Sequence, residues 1–330
     1  MNFAPPPEAL NPEGNARRVG LELEFAGLRL DDAAAVIRDH FGGEIRAAAP
    51  SCVEVDAPGL GVFRVELDAA LLKDKRYEEI LAEFGIDLAE LTDADAVERF
   101  LVGSAALVVP AEVVCPPLTL DRLTRLEGLR EALSMQGAKG TSRSLLYAFG
   151  MQVNAEVASF AAADILAGLR AFLLLYEWIV AEEKVNLTRR LLPYVNPFAD
   201  DYVEHVLAPD YRPSLTELMD DYLAFNPTRN RPLDLLPLFA WLDEERVLRA
   251  ADEPELVNKR PAWHYRLPDC LIDEPAWSLA AVWNSWVQVE YLAADRELLA
   301  HMSRDYLTTK ESFLDFLTRQ WPEKVRQWRA

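Results

Sequence analysis

Two glutamates stand two residues apart in Arg18-Val19-Gly20-Leu21-Glu22-Leu23-Glu24-Phe25. Side chains on a strand alternate between faces, so Glu22 and Glu24 share one face with Arg18 and Gly20, while Val19, Leu21, Leu23 and Phe25 take the other. Paired carboxylates repel each other unless a cation or an arginine neutralises them. Hard oxygen donors of this kind suit Mg²⁺ better than zinc, and Gly20 leaves room for a ligand beside the backbone. Taken alone, Glu-Leu-Glu reads more readily as a solvated strand face.

Other segments repeat the pattern. Arg64, Glu66 and Asp68 alternate against Phe63, Val65 and Leu67; Gln152, Asn154 and Glu156 against Met151, Val153 and Ala155; His264 and Arg266 against Tyr265 and Leu267. Glu112 precedes Val113-Val114-Cys115-Pro116-Pro117, a strand end. A sheet face collecting acids, amides and arginines is equipped for a metal and a phosphate, the alternative being a surface sheet with ordinary ion pairs. The segment from Gly137 to Arg143, with Lys139 and Arg143, reads as a flexible basic loop able to cover phosphates, or as a plain connection. Neither the P-loop nor the dinucleotide fingerprint, the nucleophile elbow or the His-Glu-x-x-His zinc motif occurs, so those chemistries lose their usual warrant. Of the four scattered histidines, only His264 falls on the proposed face.

A net charge of −20 repels nucleic acid and anionic lipid, so a phosphate ligand needs a local cluster of cations or a metal. There is no basic-then-apolar leader and no apolar run of spanning length, which predicts a cytoplasmic protein with no membrane partner. Cys52, Cys115 and Cys270 are far apart and read as small core residues.

The elements that must position these residues divide the chain. Residues 1–16, with Pro5-Pro6-Pro7, are expected to form a disordered tail, and 17–330 a single domain. Period-two alternation places strands at 18–26, 44–48, 52–56, 61–68, 105–114 and 150–156, with a hairpin turn at Ala57-Pro58-Gly59. Helical spacing covers 31–40, with Asp31 and Asp32 placed to cap it, then 73–84 and 120–136. Beyond Ser159 the chain turns helical, over about 160–258 with single helices expected at 161–186, 214–225 and 235–250, and again over 274–330, with 262–268 returning to the sheet. Strands first and helices later predict an α+β fold with a mostly antiparallel sheet backed by helices.

Five segments in order resemble the amidoligases, distant relatives of glutamine synthetase and glutamate-cysteine ligase. They are Gly20 to Phe25, Glu112 to Leu118, Phe149-Gly-Met-Gln152-Val-Asn154, Asn226-Pro-Thr-Arg229-Asn230, and Lys259-Arg260-Pro followed by His264-Tyr-Arg266-Leu-Pro. The resemblance runs from about Arg17 to Leu292. It implies a curved sheet like the glutamine synthetase catalytic domain, with a helical C-terminal half. It also implies an ATP- and Mg²⁺-dependent ligase, Mn²⁺ being an alternative ion. Such an enzyme joins a carboxylate, for instance of glutamate or a peptide, to an amine through an acyl phosphate.

On that resemblance Glu22, Glu24, Glu112 and Asp68 are metal ligands, with Asp56 competing for the place of Asp68. Arg266 faces the transferring phosphoryl group and Arg64 is a second catalytic candidate. Lys139, Arg143 and Arg260 are assigned to the nucleotide, and Gln152, Asn154, Arg212 and Arg229 to substrate. Gln152 and Asn154 stand where many members have histidines, and His264 where many have an acid, so one ligand is either missing or supplied from elsewhere. A phosphotransferase on the same fold, or a binding protein that has lost catalysis, are the competing readings.

Overall fold

The computed structural model describes residues 2–67, 110–141, 149–186, 189, 195–310 and 321–329. Among them it is an α+β protein with a mostly antiparallel, unclosed sheet and about ten helices. The chain divides into two compact units.

The first unit comprises Arg18–Asn154 and Pro268–Ala280. Its strands are β1 (Arg18–Phe25), β2 (Glu44–Ala49), β3 (Cys52–Ala57), β4 (Gly61–Leu67), β5 (Ala111–Val114), β6 (Leu118–Thr119) and β7 (Met151–Glu156). They run β2-β3-β4-β5-β1-β7, with β6 on β1. The expected alternation is realised: Leu21, Leu23, Phe25, Phe63, Val65 and Val113 are buried on one face. Helices α1 (Leu30–Phe41) and α2 (Leu120–Met135) pack against each other, α1 also on β3 and β4 and α2 on β1. Gly59 turns the β3–β4 hairpin at φ +74°, a left-handed conformation that glycine adopts without strain. Asp31 and Asp32 do not cap α1, whose N-cap is Arg29. They lie in its first turn, where carboxylates favour the positive end of the helix dipole.

The expected flap at 137–143 is stitched down as far as it is described. Lys139 and Ala26 exchange both backbone hydrogen bonds (2.8 and 3.0 Å), and Thr141 donates from N to Cys270 O (3.0 Å) and from Oγ1 to Phe149 O (2.7 Å). Gly140 passes so close to Cys270 that a Cβ would stand 2.3 Å from its carbonyl oxygen. Asp68, Arg143 and the helix expected at 73–84 lie outside the described residues, as does the first half, 105–109, of the strand expected at 105–114.

The second unit comprises Asn2–Arg17, Ala155–Leu267 and Ala281–Ala330. It holds α3 (Ala162–Glu182), α4 (Asp200–Leu207), α5 (Leu215–Phe225), α6 (Leu236–Leu242), α7 (Glu244–Ala250), most of α8 (Leu279–Ala294), α9 (Arg296–Lys310) and α10 (Trp321–Arg329). Strands β8 (Leu233–Asp234) and β9 (Ala262–Tyr265) pair antiparallel. Asp243 ends α6 and caps α7, its side chain accepting from Arg246 N, so one expected helix becomes two.

The proline-rich start is tied down. Trp283 Nε1 donates to Ala4 O (2.8 Å), Ala4 N to Asn284 Oδ1 (2.8 Å) and Arg17 Nη1 to Glu8 O (2.8 Å). Proline has little backbone freedom to lose, so such a segment docks at low entropic cost. Arg17 also makes a bidentate pair with Glu290 (2.6 and 2.7 Å), both side chains being at most a tenth exposed. No helix among the described residues is long and apolar enough to cross a membrane.

Candidate functional site

Antiparallel register decides which acids meet. Glu24 lies opposite Glu112, and Glu112 opposite Glu66, so three carboxylates line up across β1, β5 and β4. Directly opposed like charges destabilise a sheet unless something intervenes. Here amides from β7 intervene: Gln152 Nε2 donates to Glu24 Oε1 (2.8 Å) and Glu112 Oε1 (3.2 Å). Asn154 Nδ2 donates to Glu22 Oε1 (2.8 Å), and Gly150 N to Glu24 Oε2 (2.7 Å). At the far end of the row Arg64 pairs with Glu66.

Burial settles the first alternative. Glu22 is 8% exposed, Gln152 6% and Asn154 8%, so this is not a solvated strand face. Cys115 beside it has its thiol pushed well up, by burial and then by Glu22 and Glu112. Asn154 Oδ1 is buried with no hydrogen-bond partner among the described residues, close to Glu22 because its own Nδ2 bonds there. The space over Gly20 is bounded by Asn154 Cβ, 3.5 Å from where a Cβ would sit.

A second polar cluster lies within the other unit. Cross-strand pairing sets Asp234 of β8 opposite His264 of β9, with Nδ1 and Oδ2 3.3 Å apart and both residues 2% exposed. The other carboxylate oxygen, Oδ1, accepts from Leu236 N (2.9 Å). Burial holds His264 well below the usual imidazole range, and Arg260, Arg266 and Arg229 push it further down. Burial likewise pushes Asp234 up to about 6, against the pull of Arg266, the Leu236 N–H, Arg229 and Arg260. The ring nitrogen and the carboxylate oxygen lie within hydrogen-bond reach, and burial disfavours the charged form of each. Arg266 Nη1 donates to Arg229 O, and Arg189 Nη2 to Arg266 O, which binds the arginines into one group.

The family model for the description "putative amidoligase enzyme" matches residues 15–288. The chain belongs to that family. It is by that description a ligase. No curated protein and no solved structure matches.

For this amidoligase chain the structure brings Glu22, Glu24, Glu112, Gln152 and Asn154 together, and separately Arg229, Arg260, Arg266 and His264. Arg64 is exposed and paired with Glu66, and Lys139 is held by its backbone at the end of β1. Arg212 does not join the arginine group but is an exposed electrostatic neighbour of Arg170. Asp56 is exposed on β3, near Arg46. Sequence reasoning missed Asp234, although Arg231-Pro232-Leu233-Asp234 sits between two groups of family residues. A cavity of about 470 Å³ in the second unit, lined by Arg17, Trp263, Trp286 and Glu290 among others, contains none of the candidate residues.

Proposed function

We propose that the chain is an ATP- and Mg²⁺-dependent carboxylate–amine ligase of the glutamine synthetase-like kind, acting in the cytoplasm on small-molecule or peptide substrates. The observation that carries this reading, beside membership of the family, is the half-buried pair of opposed carboxylates Glu24 and Glu112 on β1 and β5, next to the buried Glu22, with neutral amides from β7 donating to all three.

The donor set fits a hard divalent cation. Among the described residues no three acidic, histidine or cysteine side chains already converge as a metal site. Turning the Gln152 amide would instead present its oxygen together with those of Glu24 and Glu112, while Asn154 Oδ1 is already a buried acceptor beside Glu22. Glu22, Glu24, Glu112 and Asp68 would hold the ion, Mn²⁺ substituting for Mg²⁺. When bound it would neutralise phosphate oxygens during transfer to the carboxylate.

The remaining work falls to the chain's own groups. Phosphoryl transfer depends on positioning and charge neutralisation more than on covalent help. Arg266, backed by Arg229 and Arg260, supplies fixed positive charge for the phosphoryl group and substrate carboxylate. Lys139 and Arg143 serve the nucleotide. Arg64 and Arg212 keep lesser roles, since the first is engaged by Glu66 and the second stands by Arg170.

The reading is tested by incubating the protein with ATP, Mg²⁺ and a pool of carboxylates and amines, with ADP assayed and products identified by mass. An amide whose formation is stoichiometric with ADP and stops with EDTA is expected. A stable phosphorylated acceptor would indicate a phosphotransferase instead. The amide hydrogen bonds accepted by Glu24 and Glu112 favour a second reading, a binding protein without turnover, which would give neither product.

A further inference from the structure

We propose that the cavity of about 470 Å³ in the second unit is a binding site for a small organic cation, an amine or guanidine carried on a flat apolar body. The site stands independently of the ligase reading, because none of the metal, phosphate or substrate candidates lines it.

Its floor is built by close approach. Gly168 lies inside α3, where glycine weakens a helix, and a Cβ there would stand 2.5 Å from Cη2 of Trp263. The helix gives up propensity to admit an indole. On α8, Trp286, Val289, Glu290 and Ala293 recur at the spacing of one helical face, and the small Ala293 leaves space open beside the larger three. The ring centroids of Trp263 and Trp286 are 5.8 Å apart, and Trp286 Nε1 donates to Glu290 Oε1 (2.7 Å). Another wall comes from the N-terminal segment, held where Arg17 donates from Nη1 to Glu8 O (2.8 Å) and from N to Ala9 O (3.0 Å).

Charge selects the ligand. Of the charged residues that line the cavity, Arg17 is matched by Glu290 (2.6 Å) and Arg296 by Asp164. Glu8 remains, exposed and with no partner for its carboxylate among the described residues. The lining thus carries one uncompensated negative charge, in a chain whose net charge of −20 draws cations and repels anions. Indole is also the side-chain ring that attracts a cation most strongly. Size agrees, since small-molecule sites are mostly apolar, carry a few polar groups and span about 300–1,000 Å³.

Such a space could also be a mere gap beneath the docked N-terminal segment. Three compounds of nearly one shape separate the two readings: tryptamine, a cation; tryptophol, the neutral alcohol; and indole-3-propionate, an anion. Binding to the whole chain is measured by isothermal calorimetry at low salt. The indole N–H signals of ¹⁵N-tryptophan-labelled protein, assigned with Trp263→Phe and Trp286→Phe, locate the site.

Tryptamine should bind saturably, about tenfold or more tighter than the carboxylate, and should shift the signals of Trp263 and Trp286. Glu8→Gln, at an exposed position, should weaken tryptamine about two- to fivefold, as loss of an exposed charge partner does, and leave tryptophol unchanged. Ala293→Phe should abolish binding of both. The proposal is overturned by no saturable tryptamine binding, by a carboxylate or alcohol bound as tightly, by affinity indifferent to Glu8→Gln, or by signals of Trp263 and Trp286 that do not move.

Discussion

The acid cluster of the first unit and the arginine cluster of the second solve the same difficulty in opposite ways. Both gather like charges in half-buried positions, Glu24 and Glu112 in the first and Arg229, Arg260 and Arg266 in the second. On β1 and β5 the excess is negative and is quieted by neutral amides, Gln152 between Glu24 and Glu112 and Asn154 on Glu22. Around β8 and β9 the neighbours are positive, Arg229, Arg260 and Arg266 acting on the carboxylate of Asp234, while burial disfavours a charge on His264. An amide spacer does not titrate and can be displaced by a cation. A carboxylate among arginines titrates, and its guanidiniums attract an anion. The first arrangement would suit a cation and the second an anion.

The largest expected effect lies in the second cluster. Arg266→Met should lower ADP-forming turnover by on the order of 10³-fold, as removal of a transition-state arginine does, measured at saturating substrate. A loss below tenfold would move the phosphoryl role to Arg229 or Arg260.

The amide-spacer idea is sharpened by Gln152→Glu. A third carboxylate beside Glu24 and Glu112 should cost about 1–3 kcal/mol at pH 8, as a buried charge deprived of its partner does. Added Mg²⁺ should recover a larger part of that loss than it adds to the wild type, by thermal melting. Equal Mg²⁺ shifts in both proteins would mean that the ion does not bind there.

The titrating cluster makes a pH prediction whose sign can be worked out. Asp234 has its folded pKa raised from 3.8 to about 6, so its burial penalty is complete above pH 6 and disappears as pH falls toward 3.8. His264 has its folded pKa lowered, so it costs stability as pH falls below 6.5, where the unfolded chain takes up the proton. Asp234→Asn should therefore equal or exceed wild-type stability at pH 7.5, by up to about 3 kcal/mol. That advantage should shrink between pH 6 and 4 in urea titrations. An advantage that grows on acidification would contradict the assignment.

The smallest effect is expected at Arg64→Ala. The side chain is exposed and pairs with Glu66 across one face of β4, so stability should fall by less than about 1 kcal/mol. Turnover reduced a hundredfold would restore it to the catalytic set.

The first cluster was legible in the sequence because each contributing strand is four or more residues long. Alternation in 18–25, 111–114 and 151–156 placed Glu22, Glu24, Glu112, Gln152 and Asn154 on one face, and the antiparallel register did the rest. The second cluster was legible only from β9. Strand β8 is two residues long, too short for a period, and Leu233-Asp234-Leu235-Leu236 continues into a helix. Its partner lies thirty residues away, so nothing local marks Asp234 as the acid beside His264. The docking of Ala4 on Trp283 and Asn284 was hidden for the same reason, with partners some 280 residues apart. The break of the 235–250 helix did carry a signal, since Asp243-Glu244-Glu245 has the form of an N-cap followed by acids in a first turn.

The central claim is that the amide-spaced acids of β1 and β5 hold the divalent ion for phosphoryl transfer. Calorimetric titration of ATP with and without Mg²⁺, in the wild type and in the Glu22→Gln, Glu24→Gln double variant, tests it most directly. Mg²⁺-dependent binding weakened by about 10–100-fold or more in the double variant is the expected result. ATP binding that is indifferent to Mg²⁺, or unchanged by the two substitutions, would contradict the account.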